Sequence, residues 1–220
     1  AAETVPQRPT RSKPEDSKPS AFPVTTCDLP LEPSVRSVTL AGKALPLPVR
    51  NPQTIIVIGD TGCRMKLSEN AFQSCNDLED WPFQTVSDSA ARLKPDLVIH
   101  VGDIHYRENA CPASETGCQG SPWGYGYDTF EADFFQPAEH LLAAAPWVFV
   151  RGNHESCDRG GQGWWRFFDP RPLVKGQDCN RAEDDPIGEF SAPYAIPLGT
   201  ETSLIVFDSS YDGVPAGQEA

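Results

Sequence analysis

Three short apolar runs in this chain each lead into a glycine that is followed by aspartate or asparagine. The runs are residues 54–58, 97–101 and 147–150, and the polar residues are Asp60, Asp103 and Asn153. Runs of four or five β-branched and apolar residues bounded by glycine predict strands that are buried on both faces. Because glycine permits a sharp turn at a strand end, the following side chain can point into the neighbouring crevice. The pattern therefore predicts a sheet with three oxygen-bearing side chains at its carboxyl edge.

Segments with helical spacing separate these strands. An apolar face that ends before Pro95 predicts a first helix, with members Phe83, Val86, Ala90 and Leu93. A second helix is predicted to start near Asp128 and Glu131 and to kink at Pro137, with an apolar face at Phe130, Phe134, Ala138 and Leu141. A fourth strand is predicted over residues 203–207. The alternation of strands and helices predicts an α/β fold.

Proline dominates the first part of the chain. Residues 1–52 contain ten of the 22 prolines, and residues 34–40 alternate apolar and polar side chains. We therefore predict a proline-rich N-terminal arm over residues 1–33, and a globular domain over residues 34–220 that opens with a short edge strand.

Charge and hydropathy exclude two classes of partner. With 18 basic and 31 acidic residues, the net charge is −13. A surface of this sign argues against binding a nucleic-acid backbone. The apolar runs reach only four or five residues, which is far short of a membrane span. We therefore expect neither a nucleic-acid partner nor a membrane partner.

Seven cysteines point to an oxidising compartment. Six of them form close sequence pairs, Cys63 with Cys75, Cys111 with Cys118, and Cys157 with Cys179, and Cys27 is left over. Disulfides are predicted; the alternatives are buried free thiols or a zinc knuckle, although no C-x-x-C pair occurs. Together with the opening Ala1-Ala2, this predicts a secreted or periplasmic protein whose signal peptide has been removed.

The turns that follow the second and third strands are extended into longer motifs. They read Gly102-Asp103-Ile104-His105-Tyr106 and Arg151-Gly152-Asn153-His154-Glu155. Carboxylate and amide oxygens suit Fe(III), Mn(II) or Zn(II), and a carboxylate can bridge two ions. An adjacent imidazole, His154, could protonate a leaving oxygen. The motifs therefore predict a dinuclear metal site; the alternative is that these polar residues serve only as turn and capping residues.

Taken in order, three motifs resemble those of the calcineurin-like metallophosphoesterases. They are Gly59-Asp60-Thr61-Gly62, Gly102-Asp103-x-x-Tyr106 and Gly152-Asn153-His154-Glu155. The tyrosine of the second motif is similar to that of the purple acid phosphatase branch. The resemblance covers about residues 53–210. It implies a four-layer α/β/β/α sandwich that hydrolyses a small-molecule phosphoester, a monoester or a diester, with a metal-bridged hydroxide.

The resemblance also implies a role for each matching residue. Asp60 and Tyr106 would bind the first metal, Asp103 would bridge both metals, and Asn153 would bind the second. The metals would be iron paired with zinc, manganese or a second iron. His154 matches the catalytic histidine, and Arg151 would contact phosphate or form a surface salt bridge.

The family completes its metal site with later histidines, a single one and then a Gly-His-x-His motif. This chain has four histidines, and none follows His154. No helix that would cover the fourth strand is predicted from the sequence of residues 212–220. One interpretation is that these residues are the N-terminal portion of a longer enzyme, with a C-terminal segment of the same precursor completing the site. The other is a catalytically inactive relative that binds phosphate or a partner.

Overall fold

The structure is a computed structural model that describes residue 26 and residues 29–210. Strands within these residues are β1 Val38–Leu40, β2 Lys43–Leu45, β3 Ile55–Ile58, β4 Met65–Lys66, β5 Ala71–Phe72, β6 Leu97–His100, β7 Trp147–Phe149, β8 Tyr194–Pro197 and β9 Ser203–Val206. The α-helices are α1 Phe83–Arg92, α2 Tyr127–Phe130, α3 Glu139–Ala144, α4 Gly161–Gly163 and α5 Asp185–Gly188. Shorter 3₁₀ turns lie at Leu67–Glu69, Asn153–Glu155 and Ala182–Asp184, and π-helical turns lie at Glu131–Phe135 and Trp164–Phe168.

A parallel sheet with the strand order β3-β6-β7 forms the centre of the fold. Ile55 pairs with Leu97, and Val98 pairs with Trp147, so β6 hydrogen-bonds on both sides. Parallel strands need crossover connections, and these contain α1 in the first case and α2 and α3 in the second. The predicted α/β fold is confirmed, and the three strands before the glycine turns lie side by side.

The two faces of the sheet have different covers. Val98 packs with Ala90 of α1 and Leu141 of α3 on one face. On the other face, Leu97 and Val148 pack with residues of the antiparallel β8–β9 hairpin. Adjacent residues of a strand point to opposite faces, which explains why Leu97 and Val98 belong to different clusters. The four-layer arrangement implied by the resemblance stays a prediction.

The prediction of strands buried on both faces is wrong for β3. Val57 remains 60% exposed and Ile55 39% exposed, whereas Leu97 and Val98 of β6 are buried. The reason is position, because β3 is an edge strand of the described sheet and β6 is central. An apolar run alone does not distinguish these two positions.

Both predicted helices exist, but their details differ from the prediction. Helix α1 buries Phe83, Ser87 and Ala90, while Val86 and Leu93 are exposed, so its buried face is rotated from the predicted one. The second helical segment is broken into α2, a π-helical turn and α3, and the break falls around Pro137. It starts after Gly126 without a side-chain cap. Its predicted apolar face is confirmed, since Phe130, Phe134, Ala138 and Leu141 are fully buried.

Three disulfides close the predicted pairs. Cys63–Cys75 and Cys111–Cys118 each have Cα atoms 5.6 Å apart, and those of Cys157–Cys179 are 4.9 Å apart. Disulfides of this kind persist in oxidising environments, and they suggest an extracellular or similarly oxidising location. The predictions for Cys27, for most of the arm over residues 1–33 and for residues 212–220 lie outside the described residues.

The chain also matches one further prediction from sequence. The predicted edge strand is present as β1, which pairs with β2 in an antiparallel hairpin. Within residue 26 and residues 29–210, no helix is both long enough and apolar enough to cross a membrane.

Close approach of the turns after β6 and β7 depends on glycine. At Gly102, with φ of +104°, a Cβ atom would lie 2.8 Å from the backbone of Gly152. We predict that Gly102→Ala lowers the free energy of unfolding by at least about 3 kcal/mol, measured by urea denaturation, because strain and overlap act together.

Gly120→Ala is the matched control for this substitution. Gly120 has φ of +77°, but a Cβ atom added there would meet no other atom within 4 Å. The free energy of unfolding of this variant should fall by only about 1 kcal/mol, which measures the cost of backbone strain without steric overlap. Equal losses for the two variants would contradict the importance of the close approach.

Candidate functional site

The three turns that follow β3, β6 and β7 meet at one edge of the sheet. We call them the first loop (residues 59–62), the second loop (residues 102–107) and the third loop (residues 151–155). The amide of Asp60 donates to the carbonyl of Gly102 at 3.1 Å, and the amide of His154 donates to Oδ1 of Asp103 at 2.9 Å. The predicted convergence of these motifs is therefore present in the structure.

Two aspartates in these loops have an unusual backbone conformation. Asp60 has φ of 53° and Asp103 has φ of 55°, in the left-handed region. Aspartate adopts this region more readily than most residues, but it is still unfavourable and is found at functional sites. Both aspartates lie in the loops at the carboxyl edge of the sheet, where Asp60 is exposed and Asp103 is half-buried.

The hydroxyl of Tyr106 joins the two carboxylates. Its oxygen lies 2.6 Å from Oδ1 of Asp60 and 3.2 Å from Oδ2 of Asp103. Burial and the hydrogen bond to Asp60 raise the pKa of Tyr106 above its ordinary value. The phenol is therefore a hydrogen-bond donor in this structure. Three side-chain oxygens from two loops form one cluster.

A buried carboxylate fastens the first loop to the second. Asp133 is fully buried in the π-helical turn between α2 and α3. It accepts hydrogen bonds from the amides of Cys63 at 3.0 Å and Tyr106 at 2.9 Å, and from Nε of Arg107 at 2.5 Å. Several donors on one carboxylate offset the cost of burying its charge.

A second buried carboxylate fastens the second loop to the third. Glu155 accepts hydrogen bonds from the amides of Asp103, Ile104 and Gly152 at 3.0, 2.8 and 3.0 Å. Burial raises the pKa of Glu155 to about 7, against the opposing effect of these amides.

The roles of Asp133 and Glu155 were not predicted from the sequence. Glu155 stood in the third motif without a role, and the signal for Asp133 was an acidic residue beside Phe134 in an apolar helical face.

His154 lies against Tyr106 where the second and third loops meet. The two ring centroids are 4.0 Å apart, and Nδ1 of His154 lies 2.8 Å from the carbonyl oxygen of His105. Nη2 of Arg159 is within 3.0 Å of both ring nitrogens. Burial, and then the charge of Arg159, lower the pKa of His154 to about 4. The ring is therefore neutral at pH 7.

Arg159 and Glu108 form a charged pair beside this histidine, which the sequence motifs did not indicate. Nη2 of Arg159 lies 2.6 Å from Oε1 of Glu108. Glu108 also accepts a hydrogen bond from the hydroxyl of Tyr125 at 3.1 Å. Although burial opposes it, the charge of Arg159 lowers the pKa of Glu108. The pair places a positive guanidinium next to His154.

Arg151 is directed into the protein interior. Its guanidinium donates to the carbonyl oxygens of Glu155 at 2.8 and 3.0 Å and of Gly188 at 2.8 Å, and it lies near Glu189 and Asp208. The side chain is fully buried, and burial lowers the pKa of Arg151. In this arrangement Arg151 holds the third loop against the segment that contains α5. A phosphate contact would require it to leave these partners.

The remaining histidines near the loops are core residues. His100 is fully buried, and its Nε2 lies 2.9 Å from Oγ1 of Thr61. Burial lowers the pKa of His100 to about 3. His105 is fully buried against the rings of Tyr125 and Phe130, at centroid distances of 5.2 and 5.3 Å.

The donor set fits part of a metal centre. Asp60, Asp103 and Tyr106 offer oxygens, which suit hard cations such as Fe(III) and Mn(II). Asn153 is exposed at the start of the 3₁₀ turn in the third loop. Within the part of the chain that the structure describes, no three His, Cys, Asp or Glu side chains form a group that could hold a metal ion. The described residues therefore supply some oxygen ligands but not a complete set of metal ligands.

Comparison with known proteins identifies the family. A family model described as calcineurin-like phosphoesterase matches residues 53–208, which is more than two thirds of the chain. The chain therefore belongs to this family. Separate comparisons with curated proteins and with solved structures found no significant match.

The anchoring role of Glu155 is testable by an isosteric change. Glu155→Gln turns an amide NH₂ towards backbone donors, so we expect the free energy of unfolding to fall by about 2 kcal/mol in urea denaturation. Glu115→Gln, at an exposed position, is the control and should change stability by less than about 0.5 kcal/mol. Wild-type stability of the Glu155 variant would contradict the anchoring role.

Proposed function

We propose that this member of the calcineurin-like phosphoesterase family hydrolyses phosphate esters. Monoesters are the main proposed substrates, and diesters are the alternative. The observation that carries the proposal is the cluster formed by Tyr106, Asp60 and Asp103, with oxygen separations of 2.6 and 3.2 Å. The family acts on phosphoesters and implies divalent metal ions. A cluster of hard oxygen donors at the exposed end of a sheet suits that chemistry.

The proposed centre is dinuclear. Asp60 and Tyr106 would hold the first ion, Asp103 would bridge, and Asn153 would hold the second, with iron paired with zinc, manganese or iron. Bound there, the metals would activate water and neutralise charge on the phosphoryl group. A tyrosinate ligand would place the chain in the purple acid phosphatase-like branch. Since no histidine follows His154, we propose that a C-terminal segment of the same precursor supplies nitrogen ligands.

The chain's own residues would orient the substrate and contact its leaving oxygen. Asp133 and Glu155 keep Asp103 and Tyr106 in place through their backbone amides. His154, beside Tyr106, would be the group that meets the leaving oxygen. Arg159 lies within hydrogen-bond distance of His154 and would favour an anionic phosphoryl group nearby. Arg151, buried among carbonyl groups, stays a weaker candidate for phosphate contact.

A second candidate function is binding without catalysis. It is favoured by the incomplete ligand cage among the described residues. In this case the loops would bind phosphate or a partner and would hold no stable metal pair. The three disulfides support action outside the cytosol, in a secreted or periplasmic setting, for either candidate.

Metal analysis separates the two candidates. We predict that the 220-residue chain alone retains metal poorly and hydrolyses p-nitrophenyl phosphate slowly, whereas a form extended past Ala220 by its coding sequence binds two metals and turns over. Elemental analysis and the rate of p-nitrophenol release are the measurements. Two tightly bound metals and full turnover in the 220-residue chain would contradict the need for outside ligands. An in-frame stop after Ala220 would remove the precursor segment from the proposal.

The bridging role of Asp103 predicts a large loss of activity. In the form that turns over, Asp103→Asn should lower kcat/KM by at least about 100-fold, because it removes one charge shared by both metals. Asp88→Asn is the control, since Asp88 pairs with His140 on the surface between α1 and α3. An unchanged kcat/KM for the Asp103 variant would contradict the bridge.

Tyr106 makes a spectroscopic prediction. Tyr106→Phe should abolish the visible absorbance of the iron-loaded protein, because that absorbance would arise from charge transfer between a phenolate ligand and Fe(III). Tyr125→Phe is the matched control, because the hydroxyl of Tyr125 donates to Glu108. An unchanged spectrum for the Tyr106 variant with iron bound would contradict the tyrosinate ligand.

A further inference from the structure

A cleft opens beside the oxygen cluster on the side of the first loop. It has a volume of about 510 Å³, and Asp60, Gly62 and Tyr106 line one end of it. Asp103, Asn153 and His154 are not among its lining residues. Its volume lies in the range of small-molecule sites in proteins. The cleft therefore adjoins the part of the candidate centre that Asp60 and Tyr106 form.

One wall of this cleft is apolar and aromatic. Trp81 and Phe83 contribute rings whose centroids are 6.5 Å apart, and Val86 of α1 also belongs to this wall. Trp81 is 8% exposed and Phe83 is 6% exposed, so the rings are held in the core, while Val86 is 48% exposed. Fixed ring faces bind planar apolar groups without losing side-chain freedom.

The polar groups of the wall already have partners. The indole N–H of Trp81 donates to the carbonyl of Thr61 at 2.9 Å. The amide of Gln73 donates to the carbonyl of Asp80 at 2.6 Å and accepts from the backbone of Arg64 at 3.1 Å. The wall therefore offers an occupant apolar contact, and few hydrogen bonds.

Two of the residues that line the cleft carry charge, Asp60 of the oxygen cluster and Arg64. Among its lining residues Arg64 alone is basic, and its guanidinium is paired with Glu69 and lies 5.7 Å from the centroid of the Tyr106 ring. An anionic occupant would have to compete with Glu69 for the guanidinium of Arg64. A sugar would leave its hydroxyl groups without partners on the wall. An uncharged aromatic group suits the rings and leaves the pair of Arg64 and Glu69 intact.

We propose that this cleft binds the alcohol part of the phosphoester, and that this part is aromatic. The substrate assignment rests on the proposed function, because the phosphoryl group would lie at the Asp60 and Tyr106 end. The ability of the cleft to bind an aromatic group does not rest on it. Trp81, Phe83 and Val86 are then specificity-determining residues, since they contact the substrate away from the reacting phosphorus.

The binding test uses a probe without phosphate. The chain is titrated with 1-naphthol, and ¹H–¹⁵N NMR follows the indole N–H of Trp81 and the amides of Gly62 and Val86. These resonances should shift together. Val86→Gln should weaken naphthol binding about fourfold, because about one methyl group of apolar contact is lost. Leu93→Gln is the matched control: Leu93 follows α1, is 64% exposed and does not line the cleft, so its affinity should equal wild type.

The catalytic test compares two esters of similar leaving-group basicity. In the form that turns over, benzyl phosphate should have a KM about tenfold lower than ethyl phosphate, and Val86→Gln should reduce that ratio about fourfold. Naphthol that leaves the three resonances unchanged overturns the cleft assignment, even if both esters are hydrolysed. Equal KM values for the two esters overturn it as well. Naphthol binding without hydrolysis of either ester supports the aromatic site and overturns the proposed function together with the substrate assignment.

Discussion

Two buried carboxylates, Asp133 and Glu155, hold the three loops of the candidate centre in one arrangement. Each accepts hydrogen bonds from backbone amides of two different segments. A buried carboxylate is costly without such donors, and loops with free amides would be costly without the carboxylate. Because each side satisfies the other, the left-handed backbone of Asp60 and Asp103 can be maintained. The oxygen cluster around Tyr106 follows from this arrangement.

Sequence predicted the positions of the loops better than their internal bonds. The pattern of a short apolar run followed by glycine correctly predicted β3, β6 and β7. Because these strands are parallel neighbours, their carboxyl ends lie together, and this brings Asp60 close to Asp103. The burial of β3 was predicted wrongly, since an edge strand and a central strand have the same apolar pattern. Asp133 could not be found by spacing, because its partner Cys63 lies 70 residues away in sequence.

The same limit applies to charged groups beside the centre. Arg151 belongs to the third motif, and sequence alone suggested a phosphate contact or a surface ion pair. Its actual partners include the carbonyl of Gly188, from a segment 37 residues away. Arg159, which no motif indicated, is the guanidinium that contacts His154. A sequence motif identifies the residue types in a loop, but packing from distant segments decides which of them face outward.

The long sequence separation of these anchors has a consequence for how the protein folds. Asp133 is 70 residues from Cys63, and Glu155 is 51 residues from Ile104. Closing such long loops costs entropy before any contact is gained, and parallel pairing adds to the delay. Early in folding the strands and α1 can form while the loops remain unfastened. The centre is therefore expected to be among the last parts to become ordered, and ligand capture would then report completed folding.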